Sequence, residues 1–151
     1  MKLRIRRRTS RGQALVEFAL VIPVFFMLMF GLIDLGHFVY VSNALNQAAR
    51  EAARVGSVVG YTEDCSGVTS RAQCIQQVAI GRMAGAPAPT VASGCSRIDG
   101  TGTVTVGADS CRAGDQLTVR LTTPYSMYTP VIAQIVGPVT LSGQAIVSVN
   151  N

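Results

Sequence analysis

From Phe18 to Ile33 the chain runs for sixteen residues without a charge, and a basic cluster stands directly before it. Lys2, Arg4, Arg6, Arg7, Arg8 and Arg11 supply six of the 13 basic side chains, with no acid among them. From Gln13 to Ile33 there are 21 residues and one charge, Glu17. As an α-helix that stretch would span about 31 Å, close to the hydrocarbon thickness of a bilayer. A basic head followed by such a run is a membrane pattern rather than that of a buried core helix.

The same run exceeds the 7–15 apolar residues of a secretory signal. The segment after it, Asp34-Leu35-Gly36-His37-Phe38, offers no small-x-small cleavage site. A retained single-pass anchor is therefore expected. The positive-inside rule places Met1 to Arg11 in the cytoplasm and the chain after about Asp34 on the far side. In a bacterium that side is the oxidising periplasm, which suits the cysteines. All four, Cys65, Cys74, Cys95 and Cys111, follow the span. They allow three pairings, of which Cys65–Cys74 and Cys95–Cys111 close the shortest loops. No C-x-x-C spacing occurs and the one histidine, His37, lies beside the span. A zinc site is disfavoured on that ground, and no metal or other cofactor is expected.

The net charge of +5 belongs to the head. From Gly12 onward seven basic residues face eight acidic ones, so no basic face for nucleic acid is advertised. With 48% hydrophobic and 14% charged residues, the chain is not of disordered composition.

Glu17 is the anomaly. A charge at the centre of a membrane helix costs about 2.5–3.5 kcal/mol, less near an interface, so the carboxylate either snorkels or meets a cation. Gly12 closes the basic head, Glu17 follows five residues later, and Phe18 opens the apolar run. This arrangement resembles the class III leader of type IV pilin-like proteins. The longer string Gly12-Gln13-Ala14-Leu15-Val16-Glu17-Phe18-Ala19-Leu20-Val21-Ile22-Pro23 resembles the opening of TadE-like proteins, pilin-like minor subunits of the tight-adherence (Flp) pilus system. So do Gly31-Leu32-Ile33-Asp34-Leu35-Gly36 and Ala44-Leu45-Asn46-Gln47-Ala48-Ala49-Arg50-Glu51-Ala52-Ala53-Arg54. Phe18 stands where Flp-type processing motifs often carry tyrosine. Gln13 stands where other type IV pilins carry phenylalanine or methionine, which argues against a type II secretion pseudopilin.

The resemblance implies cleavage by a prepilin peptidase between Gly12 and Gln13. It implies subunit docking through Glu17, Gln13 and Phe18, with Glu17 facing the new α-amino group of Gln13 on a neighbouring subunit. It also implies partners: other pilin-like subunits (TadF-like, the Flp major pilin) and the inner-membrane assembly platform, alongside membrane lipid. Pro23, inside the apolar helix, removes a backbone hydrogen bond and is expected to kink it.

The expected fold is α+β and pilin-like. Residues 1–12 form the leader, 13–33 the transmembrane helix, 34–60 its periplasmic continuation and 61–151 a periplasmic domain. Along the continuation Leu45, Ala48, Ala52 and Val55 make an apolar stripe opposite Asn43, Asn46, Gln47, Arg50 and Arg54. The stripe is expected to pack on the protein's own sheet, with Gly56 and Gly60 ending the helix. Tyr61 to Val68 reads as loop. Ser70-Arg71-Ala72-Gln73 has the form of a capping box opening a helix of about fourteen residues. Residues 89–102 read as loop or short strand. Thr103–Val106, Gln116–Thr122 and Val139–Val149 alternate with period two and predict antiparallel strands. The charge-free, apolar segment from Pro124 to Gly137 predicts a short helix in the core, with a membrane- or subunit-facing patch as the alternative.

There is no P-loop, no G-x-S-x-G and no H-E-x-x-H, and little material for nucleophilic catalysis. The leading expectation is a non-enzymatic assembly protein of the TadE-like kind. The alternative is an uncleaved, membrane-anchored periplasmic binding protein or adhesin.

Overall fold

A computed structural model describes residues 11–58, 65, 67–83, 85–99, 102–129, 133–134, 136 and 137–150. The basic head up to Ser10, Gly60, the loop acids Glu63 and Asp64, and Pro130, Val131, Ile132 and Ile135 of the apolar segment lie outside the described residues.

One helix, α1 (Arg11–Gly56), holds 46 residues and continues through Pro23. No residue of its apolar stretch is buried, as a single-pass membrane helix requires. Its second half buries Val41, Leu45, Ala48, Ala49, Ala52, Ala53 and Val55. The outer domain supplies what covers them. It consists of α2 (Arg71–Gly81) and four strands, β1 (Thr90–Asp99), β2 (Gly102–Gly107), β3 (Gln116–Tyr125) and β4 (Val139–Ser148). The sheet is wholly antiparallel in the order β2-β1-β3-β4. The fold is α+β: a long apolar N-terminal helix, a short helix and a four-stranded sheet.

The period-two pattern decides which face of the sheet is covered. Leu117, Val119 and Leu121 of β3 and Leu141 of β4 are buried, while Gln116, Arg120, Thr140 and Ser142 face out. Ile75, Val78, Ala79 and Met83 from α2 and its C-terminal end close the core beside α1. The alanine stripe lets the sheet backbone approach the helix backbone closely. At Gly143 of β4 a Cβ would stand 2.7 Å from the carbonyl carbon and oxygen of Leu45. Glycine is the residue that fits there, which explains why the apolar alternation of β4 skips that position.

β1 corrects the expectation of loop or short strand over 89–102. Ser, Thr, Gly and Ala dominate it, so it shows little hydrophobic periodicity. It is nonetheless a ten-residue strand, because β2 and β3 satisfy its backbone from both sides. β3 also runs three residues past its expected end and includes Pro124. β4 pairs with Pro124 at Thr140, whereas β1 pairs no further along β3 than Thr122, so on the β1 side the missing amide of Pro124 interrupts nothing.

α2 is 11 residues long rather than about fourteen. Ser70 is its N-cap and accepts from the Gln73 amide at 3.2 Å. The reciprocal half of the capping box is shifted by one residue, since Gln73 Oε1 accepts from the Thr69 amide at 3.3 Å. A further acceptor comes from outside the helix: Asp109, between β2 and β3, takes the Ala72 amide at 3.0 Å. At the other end of α2, Arg82 reaches Glu51 on α1 at 3.3 Å, and Arg54 reaches the same carboxylate at 2.7 Å. The Arg54 hydrogen bonds, followed by the charges of Arg54 and Arg82, hold the Glu51 carboxyl below its ordinary value against the opposing effect of desolvation.

The structure pairs Cys65 with Cys74 and Cys95 with Cys111, at Cα separations of 5.2 and 5.5 Å. The first ties the connection after α1 to α2. The second ties β1 to the connection that leads into β3.

Gly143→Ala should destabilise the outer domain by about 1–3 kcal/mol, the usual range for overpacking. Gly81→Ala, where a Cβ meets nothing within 4 Å, should not. Chemical denaturation of the two full-length variants in detergent checks this; equal midpoints would show that the helix and sheet are not in that contact.

Candidate functional site

The residues singled out by sequence fall on the first two turns of α1. Gly12, Gln13, Glu17 and Phe18 are all exposed in the single chain, with Phe18 63% accessible. A helix brings residues i and i+4 onto one face. Gln13 Nε2 accordingly donates to Glu17 Oε1 at 3.4 Å, a long contact that leaves the carboxylate room for a stronger donor. Phe18, Val21, Ile22, Phe25 and Phe26 flank it with an apolar surface. One carboxylate, one residue past a glycine and an apolar flank share the end of a helix, and none of the described residues packs over them.

Pro23 lies in the same segment. The four cysteines are remote from it, in the outer domain.

A second cluster, which the sequence reading did not assemble, sits where α1 leaves its apolar run. Asp34 is only 6% accessible. Its carboxylate accepts the backbone amides of Tyr128 at 2.8 Å and Thr129 at 3.0 Å. Tyr125 donates its hydroxyl to the Asp34 carbonyl oxygen at 2.8 Å. The Thr129 hydroxyl is buried and makes no strictly aligned hydrogen bond among the described residues, so its proton is free to turn to this carboxylate. That hydroxyl, with the two amides, keeps the Asp34 carboxyl below its ordinary value, although desolvation works the other way. Desolvation, then the Asp34 charge, pushes the Tyr125 phenol up.

One turn further on, His37 packs at a tilt against both tyrosine rings, with ring centroids 5.4 Å from Tyr125 and 5.0 Å from Tyr128. Phe38 meets Tyr125 edge-on at 5.5 Å. These contacts join residues some 90 positions apart and fix the β3–β4 connection to the helix. They also refine the expectation for 124–137. Tyr125 belongs to the core, whereas Tyr128 and Val136 are 69% and 54% accessible.

The sequence carried a faint trace of this joint. An acid stands directly after an apolar run, a histidine follows at i+3, and two tyrosines three residues apart occupy a charge-free segment. No grouping of three or more His, Cys, Asp or Glu suited to a metal occurs among the described residues.

Asp34→Ala would strip two buried amides of their acceptor, at a cost of about 1–3 kcal/mol, and should speed hydrogen exchange at Tyr128 and Thr129. Asp34→Asn keeps one acceptor and should fall between. Unchanged exchange at both amides in Asp34→Ala would refute the joint.

A family model described as TadE-like protein matches residues 12–54. The match begins at the glycine that closes the basic head, passes through Glu17 and Asp34, and ends near the end of α1. No curated protein matches the chain. No solved structure matches it.

Proposed function

We propose that this chain is a TadE-like minor pilin or pseudopilin that supports assembly of the tight-adherence (Flp) pilus, or secretion associated with it. The observation that carries the reading is the TadE-like match over 12–54 on a helix whose first turns hold Gln13, Glu17 and Phe18 exposed among the described residues. In this reading the chain crosses the bacterial inner membrane once, with its N-terminus cytoplasmic and its outer domain periplasmic. The cysteines fit that placement.

Chemistry is done to the protein rather than by it. A prepilin peptidase hydrolyses the Gly12–Gln13 peptide bond and releases an α-amine of unperturbed pKa about 7.7–8.0, mostly protonated at neutral pH. Glu17 stands one helical turn away, on the face that Gln13 already shares. In a medium of low dielectric, opposite charges at one depth attract strongly, and an unpaired buried charge is costly. A subunit that docks one turn out of register leaves both groups unpaired, so the pair acts as a depth gauge for assembly. Phe18 and the apolar face beside it supply contact without direction. The partners are the peptidase, other pilin-like subunits (TadF-like, the Flp major pilin) and the inner-membrane assembly platform. An outer domain of this size favours a minor subunit over the repeating fibre subunit.

Intact mass and N-terminal sequencing of the protein from its native membrane, with and without the peptidase, test the processing. A mature chain that starts at Gln13 only when the peptidase is present is expected. A chain that starts at Met1 in both strains would favour an uncleaved anchored binding protein. Glu17→Ala should leave membrane insertion intact and reduce co-purification with other pilin-like subunits. Equal recovery from mutant and wild type would remove the docking role.

A further inference from the structure

The charged residues of the outer domain are unevenly placed. Between Asp34 and Arg50, α1 carries no Asp, Glu, Lys or Arg. The stretch from Met83 to Ser96 carries none, and neither does the whole chain from Leu121 to Asn151. Parts of these segments meet at one end of the domain: the start of β1, the end of β3, the start of β4 and the 34–40 turns of α1. β3 runs toward Asp34 and finishes at Tyr125, whose hydroxyl bonds the Asp34 carbonyl. β4 starts opposite Tyr125, at Val139, and β1 starts opposite Thr122. A Cβ at Gly85 would come within 3.5 Å of the Tyr40 hydroxyl, which brings the segment before β1 to the same level. From Asp34 the next charge along the helix, Arg50, is about 24 Å away. Arg120 lies about 16 Å up β3 from Tyr125.

Asp34 itself is not presented to solvent, since the β3–β4 connection covers its carboxylate. The apolar surface of α1 therefore does not stop at Ile33. Leu35, Phe38, Val39 and Tyr40 remain exposed beyond it, at the level where Tyr128 and Val136 are exposed from the connection. Aromatic side chains with a polar tip collect where a bilayer meets water, and Tyr40, Tyr128 and the half-buried His37 form such a set.

We infer that the base of the outer domain is a membrane-seating surface, with Tyr128, Val136 and the 35–40 turn of α1 held in the lipid headgroup layer. The partner is the bilayer that α1 crosses, so the inference rests on the membrane-spanning reading of residues 13–33. A charge-free base fits an interfacial seat held by apolar and aromatic contact rather than by attraction to anionic lipid. The Asp34 joint is what makes it workable. It satisfies the one carboxylate at that depth internally and presents Tyr128 from the same loop.

The chain has no tryptophan, so single tryptophans report position without background. Full-length Tyr128→Trp, Val136→Trp, Leu28→Trp and Ile98→Trp are reconstituted into phosphatidylethanolamine/phosphatidylglycerol vesicles, with lipids brominated either high or low on the acyl chain. Leu28 is in the span; Ile98, 88% accessible, is at the far end of β1. Tyr128→Trp and Val136→Trp should lose intensity chiefly to the shallow bromine, Leu28→Trp to the deep one, and Ile98→Trp to neither. Quenching of Leu28→Trp with Tyr128→Trp and Val136→Trp behaving like Ile98→Trp would overturn the seating and leave the span standing. A blue-shifted but unquenched Tyr128→Trp would assign the surface to a protein neighbour and equally overturn it. An unquenched Leu28→Trp would defeat the spanning reading itself.

Discussion

The contact between the second half of α1 and the sheet is the constraint on which the outer domain depends. A helix lined with alanine brings the sheet backbone close, and at Leu45 only a glycine on β4 leaves enough space. Small residues bury little area each, so the contact relies on its length and on the larger side chains at its margins. Leu45, Ile75, Leu117 and Leu121 are fully or almost fully buried around the alanines. About 90 residues make a modest core, and the two disulfides restrict the loops on either side of it rather than the contact itself.

The second organising feature is the joint at Asp34. A free carboxylate at the end of an apolar run would stay in water and mark the boundary of the membrane. Here it is folded inward as an acceptor for two backbone amides, much as a capping side chain serves a helix terminus. That one arrangement links the direction of the span to the position of the sheet. It also holds Tyr128 and Thr129 beside the helix.

Most of the secondary structure was legible because it rests on local rules. The alternation of Leu117, Val119 and Leu121 marked β3, the alanine stripe marked the buried face of α1, and Ser70 with Gln73 marked the start of α2. What escaped was non-local. β1 shows little hydrophobic period, and pairing on both edges makes it a strand. Asp109 caps α2 from 37 positions away, and the Asp34 contacts reach across 91 to 95 positions. Gly143 interrupts the apolar alternation of β4 because it is a point of backbone contact. For the N-terminal cluster the sequence placed Gln13 and Glu17 one turn apart, and the structure adds that none of the described residues covers them.

The placement of the disulfides has a mechanical consequence. Neither bond links α1 to the sheet: one closes a nine-residue interval into α2 and the other a sixteen-residue interval beside β1. A tensile load applied along the axis of α1, as a moving assembly would apply it, is resisted between helix and sheet by non-covalent packing, with the backbone beyond Gly56 as the remaining tether. β3 and β4 lie along the helix, so such a load shears their whole contact at once instead of unzipping it turn by turn. The covalent loops would stay closed while that interface slipped, which makes the helix–sheet contact the mechanical fuse of the molecule.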